Sequence, residues 1–176
     1  LYGDVHEHDR IKEICDSNNL VYVNDAAQSQ FALYKGKNSL ELGDVVCMSF
    51  AENKPLPTLG TFGAVLTDSK EHHDKIRILR KNGKPSRLEE YATAGYSSHP
   101  DEDKAAQLLA SIKNLDRWQA RRKQITDMYD KGFAEAGIST RPRPDYSTYN
   151  THKYVIFVKD KFKAHDILLS KGLKTA

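Results

Sequence analysis

The residue pattern predicts an α/β fold: a mostly parallel sheet sandwiched by helices, with part of a small C-terminal α+β domain behind it. Three observations carry this expectation. Apolar runs at 20–23, 45–50 and 64–67 are short and nearly uninterrupted, as strands buried on both faces are. Helical patterns stand between and around those runs, the arrangement that builds a sheet between helical layers. A long amphipathic stretch at 115–136 then leads to a further strand and helix within 154–170. The chain is accordingly divided into 1–113, part of a large domain, and 114–176, a bridging helix with part of a small domain.

The elements are set by local chemistry. Residues 4–19 form the first expected helix: Asp4 is placed to cap it, and Val5, Ile11, Ile14 and Cys15 fall at helical spacing. Asn18 and Asn19 end it, and 20–23 is the first strand. Residues 26–32 make a helix or turn of small residues over that strand's end. Tyr34-Lys35-Gly36-Lys37 is a turn. The second and third strands are 45–50 and 64–67. Asp68-Ser69 caps a helix that runs to about Lys81 and stops at Asn82-Gly83. Residues 84–100 look irregular. In 101–112, Ala105, Ala106, Leu108, Leu109 and Ile112 face a core. In 115–136 the stripe is Trp118, Ile125, Met128, Tyr129 and Phe133, and Gly137 ends the helix. A loop with two prolines at 142–149 precedes a strand at 154–158 and a helix at 162–170.

Composition sets the outer bounds. The chain has 176 residues, 39% hydrophobic and 29% charged, an ordinary globular balance. Its 27 Lys and Arg against 24 Asp and Glu leave a scattered excess of +3, too small to indicate nucleic acid or a membrane surface. No apolar run approaches the roughly 20 residues that span a bilayer. Cys15 and Cys47 lie in apolar patterns without metal-ligand spacing and read as buried thiols of a reducing compartment, the cytoplasm by default. No metal site is expected. The adjacent His72 and His73 do not share a helix face, and His6 and His8 lack a third ligand. The chain begins at Leu1 and ends just past Gly172, so it reads as the middle of a longer protein.

The chemistry concentrates between Asp25 and Gly63. Two apolar strands end in functional groups, Asp25 after the first and Lys54 after the second, and ligands of open α/β sheets sit at that edge. Lys54 is either the first exposed residue of a loop or an amine that attacks an aldehyde once its ammonium is desolvated. Pro55 and Pro57 stiffen the backbone after it, and Gly60, Thr61 and Gly63 make a compact turn able to pass close to a ligand. Asp25 is either an N-cap or a carboxylate that keeps a pyridinium nitrogen protonated, as pyridoxal phosphate requires. Gln28 lies three residues on, placed for a ring hydroxyl. Ser49 is either a satisfied strand-end hydroxyl or a donor to phosphate. Tyr22 and Trp118 read as core, and Arg121-Arg122-Lys123 as a solvated helix face.

These residues resemble a known family. Asp25-Ala26-Ala27-Gln28, Tyr34-Lys35-Gly36-Lys37, Gly43-Asp44, Ser49-Phe50, Lys54-x-Leu56 and Gly60 are similar to the nucleotide-sugar aminotransferases of the DegT/DnrJ/StrS type, which are fold-type-I pyridoxal-phosphate enzymes. Leu1-Tyr2-Gly3, Leu79-Arg80-Lys81-Asn82-Gly83, Gly95-Tyr96, the 115–129 helix and His152-x-Tyr154 extend the likeness over nearly the whole chain. The resemblance implies that Lys54 bonds the cofactor covalently and shuttles a proton. It implies that Asp25 pairs with the pyridinium nitrogen, Gln28 with the ring oxygen and Ser49 with the phosphate. It also implies transfer of an amino group, usually from glutamate, to a keto group of a nucleotide-linked sugar in polysaccharide biosynthesis, by a homodimer with shared sites.

The sequence departs from the family pattern at two places. His99 stands where the family has the arginine that reaches the neighbouring subunit's phosphate, so His99 is the candidate phosphate ligand in trans. Gly60-Thr61-Phe62-Gly63 replaces an acidic glycine turn. The phosphate-binding turn and the ring-stacking aromatic are expected from sequence outside this chain. Two alternatives stay open: a cofactor-free binding or regulatory module on the same fold, and a related sugar dehydratase, whose subgroup has histidine where Lys54 stands.

Overall fold

The computed structural model describes residues 1–86 and 88–175. In chain order its elements are α1 (His8–Ser17), β1 (Val23–Asp25), β2 (Leu33–Tyr34), β3 (Lys37–Asn38) and β4 (Val45–Ser49). They continue with β5 (Gly63–Leu66), α2 (Lys70–Leu79), α3 (Glu102–Ile112), α4 (Leu115–Glu135), β6 (Ser147–Thr148) and α5 (Lys161–Ser170). A single 3-10 turn at Ser39–Glu41 precedes β4.

The main sheet has the order β1-β4-β5. β1 and β4 are parallel, with Val23 beside Val45 and Asp25 beside Cys47. β4 and β5 are antiparallel, with Ser49 beside Gly63 and Val46 beside Leu66. The α/β class stands, and the sheet in these residues is mixed: the 50–62 connection contains no crossover helix, so the chain folds back on itself. Gly63 belongs to this close pairing, because a Cβ there would lie 2.8 Å from the Met48 carbonyl.

A second sheet, β3-β2-β6, is antiparallel throughout. Its hairpin turns on Lys35 (φ 46°) and Gly36 (φ 83°), both left-handed, as a tight two-residue hairpin requires. β6 comes from the expected 142–149 loop and brings the last third of the chain onto the first. Val5, Ala32, Tyr34 and Leu42 make the buried core here, with Tyr146 packed against it. Each large side chain so buried contributes about 1.5–3 kcal/mol.

Several expectations shift. Helix α1 starts at His8, because Asp4 is engaged with Arg141 instead of capping. His6 hydrogen-bonds the Tyr22 hydroxyl, and the His8 ring stacks on Tyr22 at 5.5 Å. The first strand is buried on one face only. Tyr22 and Asn24 point inward, while Leu20, Val21 and Val23 are more than half exposed. Leu109, Ile112 and Met128 are exposed as well, so the stripes of α3 and α4 find only partial cover among the described residues. Residues 154–158 form one bridge, Thr140 to Ile156, where a strand was expected. Tyr154 there packs on Tyr129 and Phe133 and donates to Asp130. Cys15 and Cys47 are partly exposed free thiols. Ser69 does cap α2, accepting from the His72 N–H at 3.2 Å, and Asn82 and Gly83 close that helix with left-handed backbone. No helix among the described residues is long and apolar enough to cross a membrane.

Candidate active site

The carboxyl ends of β1 and β4 bring three side chains onto one face. Asp25 and Cys47 are register partners, and Ser49 lies two residues further along β4, so alternation turns all three the same way. The Asp25 Oδ1 accepts the Ala27 N–H at 3.0 Å, closing a turn instead of capping a helix. Ser49 Oγ accepts a long bond from the Ala51 N–H (3.5 Å), which leaves its own hydroxyl proton to donate elsewhere. Gln28 comes next in the same turn. Its Oε1 accepts the Tyr2 N–H at 2.9 Å, which leaves the amide nitrogen to donate.

Lys54 is half-buried in a turn closed by its own N–H to the Ala51 carbonyl (2.9 Å). The loop beyond it is anchored from several sides. Thr58 bonds the Phe50 carbonyl through both its N–H (2.7 Å) and Oγ1 (2.9 Å). Gln107 on α3 accepts the Leu59 N–H, and Ser111 donates to the Pro57 carbonyl, both at 2.9 Å. Arg122 on α4 donates to the Pro55 carbonyl at 2.9 Å. Arg122 is therefore no solvated helix residue: it is half-buried, and burial lowers its pKa.

Two buried amides tie the turn to its surroundings, and neither stood out in the sequence. Gln30 is fully buried. Its Nε2 donates to the Ser49 carbonyl (2.6 Å), and its Oε1 accepts the Leu56 N–H (3.3 Å). Asn150 Nδ2 donates to the carbonyls of Gln28 (2.9 Å) and Gln30 (2.7 Å), while its Oδ1 accepts the His152 N–H (2.9 Å). Polar residues in loop-like sequence give no warning that they are buried. The only signal for them was closeness to the two motifs. Gly3 makes room for this contact, since a Cβ there would overlap Asn150 Oδ1.

Positive charge collects beside the lysine. Burial pushes the His152 imidazole down to about 4, helped by the charges of Lys54, Lys153 and Arg122. Burial, with the Asp25 carboxylate nearby, raises the Cys47 thiol. A carboxylate and a hydroxyl thus share a face at two strand ends, with an amide and an amine on the turns that follow them. That donor set fits the pyridine nitrogen, ring hydroxyl, phosphate and aldehyde of pyridoxal phosphate. His99 stands apart: it is exposed, on the segment after α2, and makes no hydrogen bond or ion pair with the other four among the described residues.

Comparison with known proteins identifies the family. The family model described as the DegT/DnrJ/EryC1/StrS aminotransferase family matches residues 1–176. A UDP-2-acetamido-2-deoxy-3-oxo-D-glucuronate aminotransferase of Pseudomonas aeruginosa is 30% identical over 177 residues, which are 100% of this chain and 49% of the relative. A pleiotropic regulatory protein of Geobacillus stearothermophilus is 30% identical over 99% of this chain and 48% of its own length. The crystal structure of S. venezuelae DesV in complex with a ketimine intermediate superposes with a TM-score of 0.91 at 30% identity, covering 99% of this chain and 47% of that one. The chain spans about half the length of the relatives it matches. The family model spans the whole chain, and the chain belongs to the DegT/DnrJ/EryC1/StrS aminotransferase family.

Proposed function

We propose that this chain carries the lysine-bearing part of a pyridoxal-phosphate-dependent aminotransferase that moves an amino group, from glutamate, to a keto group of a nucleotide-linked sugar. The observation that carries the reading is the shared face of Asp25 and Ser49 at the carboxyl ends of β1 and β4, with Lys54 on the loop anchored next to it. When bound, the cofactor supplies an electron sink for the carbon that gains or loses the amino group. The rest is the work of this chain's residues. Asp25 keeps the pyridine nitrogen protonated. Gln28 donates to the ring hydroxyl through the amide nitrogen that Tyr2 leaves free, and Ser49 donates to the phosphate. Lys54 Nζ would hold the aldehyde carbon and, once an incoming amine displaces it, would be free to carry a proton.

On this reading residues 1–113 belong to the cofactor-binding domain and 114–176 to the bridging helix and small domain. The working protein is a cytoplasmic homodimer in which His99 reaches the neighbour's phosphate. The presence of Lys54 favours transamination over the dehydratase alternative. A regulatory module is the second reading, favoured by Ser97 and His99 in the arm and by the name of the Geobacillus relative. Adding pyridoxal phosphate to the intact protein separates the two. Aminotransferase function gives a visible absorbance band that is lost in Lys54→Ala and shifts on adding glutamate, whereas a colourless protein supports the regulatory reading.

A further inference from the structure

Gln30 lies at the centre of the contacts around the lysine loop, and nothing in the proposed chemistry employs it. Its side chain is fully buried and uses both ends of its amide, one on the last residue of β4 and one on Leu56, two residues past Lys54. The distance from the Ser49 backbone to the lysine loop is therefore spanned by one side chain. The turn that presents it is held against resistance. Phe31, next in sequence, sits at φ 64°, a left-handed backbone that a bulky side chain disfavours. Asn150 holds that turn by donating to the Gln28 and Gln30 carbonyls within it. Strain kept in place by surrounding bonds is a mark of functional segments.

We propose that Gln30 is a positioning residue that sets Lys54 against the Asp25–Ser49 face, acting through the backbone at Ser49 and Leu56. The inference rests on the proposed role of Lys54. An amide is needed because the two contacts have opposite polarity: a donor toward the Ser49 carbonyl and an acceptor toward the Leu56 N–H. Leucine supplies neither. An ionised glutamate supplies the acceptor and sets a second negative oxygen against the Ser49 carbonyl. A neutral glutamic acid restores both, since its O–H donates and its C=O accepts.

The test uses the intact protein with pyridoxal phosphate, trapped by borohydride reduction. The fraction of Lys54 modified is read by peptide mass spectrometry, and a melting curve is recorded for each variant. The natural protein is expected to label at Lys54 near stoichiometric cofactor, and its labelling from pH 6 to pH 8 is the reference profile. Gln30→Leu is expected to label at least tenfold less. Gln30→Glu is expected to depart from that profile: relative to the natural protein its labelling is low at pH 8 and recovers toward pH 6, as its buried carboxyl takes up a proton. A residue that merely fills space does not give labelling that recovers with acid, and the glutamate variant carries the test even where leucine prevents folding. Normal labelling in a folded Gln30→Leu, or a natural pH trend in Gln30→Glu, overturns the inference and leaves the proposed function standing. No adduct on Lys54 in the natural protein overturns the proposed function, and this inference with it.

Discussion

Two regions of the chain handle polar groups in opposite ways. Between Asn24 and Thr58 a set of polar side chains is buried and bonded beneath an exposed Asp25: Asn24 donates to the Ser39 carbonyl (2.9 Å), Ser39 to the Ser29 carbonyl (2.6 Å), and Gln30 and Thr58 to the end of β4 and the residue after it. Between Lys70 and Pro100 Lys70, Glu71, Lys75, Arg77, Glu89 and Glu90 are exposed, as are Leu88, Tyr91 and Tyr96. That segment is tied to α2 mainly by backbone bonds, such as Tyr96 N–H to Leu79 and Asn82 N–H to Tyr96. The difference teaches where precision resides. A buried amide has no water to fall back on, so its geometry is fixed by its partner, whereas an exposed charge exchanges partners with solvent at little cost. The region that places Asp25, Ser49 and Lys54 is of the first kind, and the arm bearing His99 is of the second.

The largest effect that probes this contrast is on chemistry. Lys54→Ala is expected to lower transamination by the intact protein about 10⁴-fold or more, the scale of removing a nucleophile. Its melting point is expected to stay near the natural value, because among the described residues Lys54 is hydrogen-bonded through its backbone and not its side chain. Steady-state rates and a thermal melt check both. Asn150→Ala is next and acts on stability. It leaves the Gln28 and Gln30 carbonyls without their donor, and each buried group so stranded costs about 1–3 kcal/mol. A denaturant titration reads the loss, and a change below about 0.5 kcal/mol would break the claim that this region depends on its buried amides.

Much of this arrangement is legible in the sequence, and the remainder has a physical cause. The Asp25 and Lys54 motifs sit at strand ends because apolar runs announce strands and polar residues announce where they stop. Ser69, Asn82 and Gly83 act as read, since capping and left-handed stops are decided within a few residues. Long-range closure is what local pattern misses. Asp4 is claimed by Arg141, Arg122 by the Pro55 carbonyl, and Gln30 by two segments on either side of the lysine. The one-sided burial of β1 and the antiparallel return of β5 are decided likewise by what packs beside them, not by their own residues.

Acid adds a graded effect. His152 is neutral in the folded chain down to about pH 4, because burial and nearby cations oppose its protonation, whereas in the unfolded chain it titrates near 6.5. Between those values the unfolded chain binds more protons. Stability is therefore full above pH 6.5 and declines as pH falls toward 4. His6 and His8, both lowered chiefly by burial, act in the same direction. Asp130 has the opposite dependence on its partner: Arg143 lowers its pKa, so the stability it contributes is lost only on falling below the ordinary 3.8. His152→Asn is expected to flatten the upper part of a melting-point-against-pH curve and to leave the part below about pH 4 unchanged.

The smallest effect belongs to the exposed region. Lys70 and Asp74 form an ion pair on the surface of α2, with 86% and 49% of their side chains open to solvent. The Lys70 ammonium holds the Asp74 carboxyl below its usual range, yet a pair so placed is screened by salt and must immobilise a long side chain to form. Its order is also the less favourable one, with the cation N-terminal to the acid along the helix. Lys70→Ala is expected to leave the melting point unmoved within measurement scatter, at low and at high salt alike. A salt-dependent drop approaching that of Asn150→Ala would mean that exposed charges hold this half of the chain together, and the contrast between the two regions would have to be abandoned.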